Sequence, residues 1–429
     1  MKKKIVASLL VASLAFSSLF VYVSTAASNT RKNLKGSLTF WHYNKSEGIP
    51  LANAFMHNYP NVKVNVQIIP TDNSTYVNKV TTALKAGSKT PDIFAIEPGF
   101  LTKLINAPNL VDLSAMAKDI IPEMIPYTVA ARKDTNGKLK GISFQTCIGG
   151  IGYKRDLAKK YLGTDDPQKI SSMLSPTQIL NTARKLNKSS KGKVKLFVGI
   201  DDLFRAYYGG RKNPCVKNNK LIIDKVMLDF ADTAKKMYSE KLIGNLPSWR
   251  PAWSESIADN KHMCYAVPSW GVPWIIEINE TKNHLSSSRW GIAEPTYPYF
   301  WGGSWYAISN SSKNKDLAWE FIKLFTSDKE YLSAWSYGCR DIINNTKIIK
   351  QTSSDNTYID KTLNQNIYKA FGPIASKING NNLSEYDDLI MNDFLSSMEP
   401  YIYGKITKQK ALNNFKNAVK KDIPNLKVS

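Results

Sequence analysis

FWGGSWYAISN, residues 300–310, sets Phe300, Trp301, Trp305 and Tyr306 around the pair Gly302 and Gly303. Aromatic rings at a chain bend either fill a core or offer a wall on which a ligand stacks. NLPSWRPAWSE (245–255) carries Trp249 and Trp253 in a proline-containing loop, and VPSWGVPW (267–274) carries Trp270 and Trp274. Loop aromatics on a rigid scaffold are better binding candidates than aromatics inside helices, such as Trp319. Polar groups stand beside them in sequence. Glu97 ends the apolar run DIFAIE, and Asp201 and Asp202 lead into Phe204, Arg205, Tyr207 and Tyr208. A ring takes the apolar face of a ligand while carboxylates, amides and arginine satisfy its hydroxyls. The chemistry available is thus non-covalent capture. The two aspartates fit a helix N-terminus equally well.

Bond-breaking chemistry finds less support. A glycosidase needs two carboxylates about 5 to 10 Å apart. Glu97, Asp201, Glu255 and Glu277 are available, but no spacing pairs them. There is no Gly-x-Ser-x-Gly elbow, no His-Glu-x-x-His and no P-loop. His42, His57, His262 and His284 have no metal-like partner at helical spacing. No catalytic residue, metal or cofactor is expected.

These residues need elements to position them. SLTFWHY (37–43) reads as a strand, GIPLANAFMHNY (48–59) as a helix and VKVNVQII (62–69) as an alternating strand. Residues 76–86 make a second helix stopped by Gly87, and DIFAIE (92–97) suits a buried parallel strand. The order β-α-β-α-β predicts parallel pairing with right-handed crossovers, and ligands sit beyond the carboxyl ends of such strands. Trp41, Tyr43 and Glu97 occupy those ends. GISFQTCIGGIGYKRDLAKKYLG (141–163) is an extended, glycine-broken segment entering a helix. MCYAVPSW is a strand running into a turn, and 312–327 and 404–423 are amphipathic helices.

The chain has 429 residues, 43% hydrophobic and 11% aromatic, enough for two or three domains with real cores. It opens with Lys2, Lys3 and Lys4, an uncharged apolar stretch over 5–23, and the small residues Ser24, Thr25, Ala26 and Ala27. That is the pattern of a secretory signal over 1–27, with an uncleaved anchor as the alternative. The first cysteine is Cys147, so no lipid-anchor cysteine follows the apolar run. The expected location is secreted or cell-surface associated. Cys147, Cys215, Cys264 and Cys339 lack metal-ligand spacing and are either disulfides or buried thiols. Net charge is +23, and losing three signal lysines leaves +20. The lysines are scattered, without a nucleic-acid-binding signature, so a solvated basic surface is expected rather than a nucleic-acid partner.

GGSWYAISNSSKNKDLAWEFIKLFTSDKEY resembles a signature of the family 1 extracellular solute-binding proteins of sugar ABC importers, which include maltodextrin-binding proteins. LTFWHYNKSEG, TPDIFAIEPGFLTKLI, GGIGYKRDLAKKYLG, MCYAVPSW and the closing YGKITKQKALNNF agree with that family in order and spacing. The resemblance implies an α/β fold: a two-lobe periplasmic-binding-protein-like clamshell, each lobe a mixed sheet flanked by helices, joined by hinge strands. By analogy lobe one is 37–146 plus 298–338 and lobe two 150–295 plus 343–429. A carbohydrate would be held between the lobes and delivered to permease subunits by a monomeric protein.

Matched to the family pattern, Trp41, Tyr43, Glu97 and Gly303 are expected at the ligand from lobe one, and Trp270 as the stacking aromatic. Asp202, Trp249, Trp253, Trp301 and Trp305 are further candidates. Arg340 stands where the family commonly has a Gly-x-Leu-Pro turn, a departure that could put a bidentate donor at the ligand or make a local salt bridge. The hinge positions also suggest a Cys147–Cys339 disulfide. The alternatives are a secreted carbohydrate-active enzyme, a surface lectin, or a clamshell redeployed as a sensor partner.

Overall fold

In the computed structural model, which describes residues 33–100, 104–281 and 288–428, the chain forms two units. The first comprises the described residues up to Thr146 together with Gly302–Ile349; the second comprises Cys147–Trp301 and, from Lys350 on, the described residues to 428. The expected export signal over 1–27 lies outside the described residues. No described helix is long and apolar enough to cross a membrane.

The first unit is built on a four-stranded sheet. Strand Gly36–His42 pairs in parallel with Val62–Ile68 on one side and Ile93–Ile96 on the other. Trp305–Ile308 closes the far edge, antiparallel to Ile93–Ile96. The β-α-β-α-β reading of 37–97 holds, helix by helix. The first helix starts earlier than its apolar pattern, at Lys45, because the Asn44 side chain accepts the Ser46 N–H at 2.9 Å and caps it. The second, Thr75–Ala86, ends where Gly87 turns left-handed. Ile93, Phe94, Ala95 and Ile96 are all buried, as a central strand covered on both faces requires. Helix Lys315–Ser327 puts Phe321, Ile322, Leu324 and Phe325 into the same core.

The second unit has its own four-stranded sheet, ordered Lys195–Phe197, His262–Pro268, Gly149–Lys154, Trp290–Ala293. The first pair is parallel and the others antiparallel. Gly149 is a strand residue with no room for a side chain: a Cβ there would meet the Tyr299 ring at 2.1 Å. Helices Lys225–Ser239, Asp387–Ile402 and Lys408–Asp422 bury Phe230, Phe394 and Phe415 in one core with Leu203 and Phe204. The mixed sheets flanked by helices match the expected fold class.

All four cysteines are thiols. The expected Cys147–Cys339 disulfide is therefore corrected. Cys147 is a fully buried residue of the second unit, its carbonyl taken by the Trp301 N–H at 2.9 Å. Cys339 belongs to the first unit and closes helix Lys329–Cys339. Burial pushes the Cys264 and Cys339 thiols well above their ordinary range, which keeps them unreactive.

Candidate functional site

In the first unit, polar groups converge just past the carboxyl end of strand Gly36–His42. Glu47, in the first turn of helix Lys45–Asn58, is the centre. Ser304 donates its hydroxyl to Glu47 Oε2 at 3.0 Å, and the Tyr306 hydroxyl donates to Oε1. Since Ser304 has one O–H, the 2.7 Å contact between its Oγ and the Tyr43 hydroxyl is donated by Tyr43. His42 Nδ1 accepts the Asn44 N–H at 2.8 Å, so Nε2 carries the proton that faces Glu47 Oε1 at 3.5 Å. Burial works to raise the Glu47 carboxyl, but His42, Tyr306 and Ser304 outweigh it and hold the group below its usual range. An ionised, hydrogen-bonded carboxylate is a hydroxyl acceptor, not a proton donor. Burial, then the charges of Glu47 and Glu97, push the Tyr43 phenol well above its ordinary value and keep it a neutral donor.

The backbone of this cluster is fixed from below. Gln145 Oε1 accepts the Ser304 N–H at 3.0 Å, and Gln145 Nε2 reaches Asp341 Oδ2 at 3.3 Å. Gly302 and Gly303 both adopt positive φ, 75° and 106°, which glycine allows without a Cβ penalty. That bend brings the Gly303 carbonyl to 3.4 Å from the Tyr43 hydroxyl.

In the second unit, tryptophans cluster. Trp249 lies nearly parallel to Trp270, centroids 6.0 Å apart and planes 12° apart. Trp301 meets both edge-on, at 5.6 and 6.0 Å. Trp270 donates its indole N–H to the Trp301 carbonyl at 2.8 Å. Trp249 is 56% exposed and sits at φ 66°, a left-handed conformation costly for a bulky residue. The Arg205 guanidinium covers the Trp301 ring at 3.7 Å, a cation–π contact.

Other predicted residues have different surroundings. Trp305 is fully buried, its N–H on the Thr128 carbonyl at 3.2 Å and Arg132 over its ring at 3.5 Å. Trp253 is buried, and its indole N–H goes to Asp202 Oδ2 at 3.0 Å. Asp202 also accepts the Ala266 N–H on Oδ1 at 2.9 Å and has no exposed surface, so it braces helix Ile200–Tyr208 against the sheet. Burial raises its carboxyl to about 7. Trp41 packs on the opposite face of its strand from His42, under the helix that carries Lys79, whose ammonium lies 5.0 Å from the ring. Glu97 accepts the Gly99 N–H at 2.8 Å and is half-buried. Arg340 is the left-handed cap of helix Lys329–Cys339. Glu47, Ser304 and Tyr306 were not singled out from sequence as ligand contacts. Glu47 and Ser304 are 257 positions apart, and no local pattern joins them.

The profile of the bacterial extracellular solute-binding protein family matches residues 47–331, about two thirds of the chain. The chain belongs to this family. Solved structures agree in fold. An extracellular solute-binding protein of family 1 superposes with a TM-score of 0.76 at 18% identity, covering 90% of this chain and 99% of the other. The GacH receptor of Streptomyces glaucescens, solved unliganded and with acarbose, gives 0.69 at 18% identity, covering 92% and 100%. The galacto-N-biose/lacto-N-biose I-binding protein of Bifidobacterium longum gives 0.71 at 17% identity, covering 92% and 99%. Comparison with curated proteins finds no match. Among the described residues no group of His, Cys, Asp and Glu is arranged to hold a metal ion.

Proposed function

We propose that this solute-binding protein captures a carbohydrate outside the cell membrane and delivers it, without chemical change, to permease subunits of an ABC importer. The observation that carries this reading is the tryptophan group of the second unit. Trp249 is held with more than half its surface exposed, at a backbone angle that costs free energy, beside Trp270 and Trp301. Strain of this kind persists where a side chain is needed in place, and a flat exposed indole is what a pyranose C–H face stacks on. In the first unit, the ionised Glu47 carboxylate and the Tyr43 phenol oxygen, whose proton is on Ser304, are acceptors for ring hydroxyls. The similar proteins from Streptomyces glaucescens and Bifidobacterium longum were solved with acarbose and lacto-N-biose, which supports a saccharide as the solute class. Trp41, Glu97, Gly303 and Arg340 remain proposed contacts.

The test is intrinsic tryptophan fluorescence of the mature chain, titrated with oligosaccharides, with product analysis on the same samples. Saturable change with intact sugar is expected, and Trp249→Ala and Trp270→Ala should lower the affinity about tenfold or more. Cleaved sugar would replace this reading with an enzymatic one. Unchanged affinity in both tryptophan variants would remove the stacking surface.

A further inference from the structure

The buried and half-buried arginines of the second unit are engaged, with one exception. Arg155 donates to the Trp290, Asp165 and Leu363 carbonyls. Arg211 forks onto Asp387, with Nη2 to Oδ2 at 3.0 Å. Arg289 donates to Asn260 and to the Ala258 and Asp259 carbonyls and pairs with Glu280. Arg205, half-buried in the last turn of helix Ile200–Tyr208, is stacked on Trp301 at 3.7 Å, and no hydrogen bond or salt bridge to its guanidinium is formed among the described residues. None of its N–H groups is a buried, unsatisfied donor, so each keeps contact with solvent that a ligand oxygen can replace. Stacking on an indole satisfies the face of the fork and leaves its edge for a partner.

We propose that Arg205 is a specificity-determining residue that takes a carboxylate of the ligand, so that the solute is a uronic-acid-containing carbohydrate. This rests on the carbohydrate reading above and narrows it. The edge of a guanidinium matches a planar carboxylate in a bidentate fork, shorter and stronger than its bond to a neutral hydroxyl. The ring it covers, Trp301, is 6.0 Å from Trp270 and 5.6 Å from Trp249.

The groups that act electrostatically on Arg205 do not replace such a partner. Burial works against the Arg205 charge and outweighs Asp388, Tyr299, Asp202 and Asp201, which favour it. Asp201 Oδ2 is already on the Ser248 N–H at 2.9 Å, and both Asp202 oxygens are turned to Ala266, Trp253 and Ser248. Burial leaves Asp202 titrating near neutrality, at about 7, so its compensation of Arg205 is incomplete. The net charge of +23, or +20 without the three lysines of the expected export signal, further draws anions to the molecule.

The experiment is isothermal titration calorimetry on the full mature chain. The probes are galacturonate, glucuronate and mannuronate oligosaccharides of two and three sugars, their neutral counterparts, and galactose 1-phosphate. At least one uronate is expected to bind more tightly than its neutral counterpart and than the sugar phosphate. Arg205→Lys keeps the charge but not the fork, and Arg205→Ala removes both. Each should weaken uronate binding about 30-fold or more while changing neutral-sugar binding less than about threefold. Near-UV circular dichroism and melting curves establish that the variants are folded, and the lysine variant carries the test if the alanine variant is not. Neutral sugars binding best, with Arg205→Lys unaffected, overturns the carboxylate assignment and leaves the carbohydrate reading standing. Preference for the phosphate overturns it too. No binding across every sugar overturns both.

Discussion

Trp270 and Trp301 are joined by the indole N–H of one and the backbone carbonyl of the other, 2.8 Å apart. The bond satisfies the polar edge of Trp270 inside the protein and fixes its ring plane, so that Trp249 can lie almost parallel to it. A tryptophan surface fixed in this way is preorganised for stacking, because little rotamer freedom is lost when a ligand arrives.

Trp249→Ala separates binding from stability. The ring is mostly exposed, so its removal should change unfolding free energy by no more than about 1 kcal/mol, through lost contacts with Trp253, Trp270 and Trp301. Trp305→Ala should behave oppositely. That ring is fully buried, and its loss should cost about 3 to 5 kcal/mol. Urea denaturation of both variants, beside ligand titration of the first, checks the contrast.

Asp202 makes stability fall as pH rises. Its carboxyl titrates at about 7 in the folded protein and near 3.9 when unfolded, so between those values the folded state binds the extra proton. Stability from this group is full below about pH 4 and is lost on the way to about pH 7. Asp202→Asn should flatten that slope, at the cost of leaving the Trp253 N–H without an anionic acceptor. Chemical denaturation at several pH values between 4 and 8 measures both effects; an equal slope in the variant would reject the assignment.

Glu47 has the opposite sign. Its folded carboxyl is held below the ordinary value, so it stabilises the fold above about pH 4.3 and that contribution is lost as pH falls further. Glu47→Gln would turn an amide N–H toward the Ser304 or Tyr306 donor and should cost about 1 to 3 kcal/mol at neutral pH. Acid unfolding curves of the two proteins should converge at low pH.

The cysteines give a simple chemical check. With no disulfide, thiol titration in denaturant without reductant should count all four, and melting curves should be the same with and without dithiothreitol. In the native state Cys147, Cys215 and Cys264 should react slowly, because all three are fully buried.

Alternation and helical period made the β-α-β-α-β run of residues 37–97 legible, since each element there is specified by its own neighbours in sequence. The aromatic residues were less legible. Trp249 and Trp253 are four positions apart and read as one loop, yet Trp249 is exposed ahead of helix Pro251–Ser256 while Trp253 lies inside that helix, buried against Asp202. Nothing in the composition of residues 245–255 distinguishes them, because burial depends on what the folded chain packs against each ring.

By itself the sequence determined the β-α-β-α-β run of residues 37–97, the family and the presence of enough aromatic and polar side chains for capture. Those follow from short-range periodicity and from ordered motifs. Only the tertiary structure decided which groups meet. Glu47 gains its acceptor role from Ser304 and Tyr306, 257 and 259 residues away, and Arg205 gains its stacked, unbonded state from Trp301. Such relationships depend on distance in space, and the chain encodes them only through the packing of the whole unit.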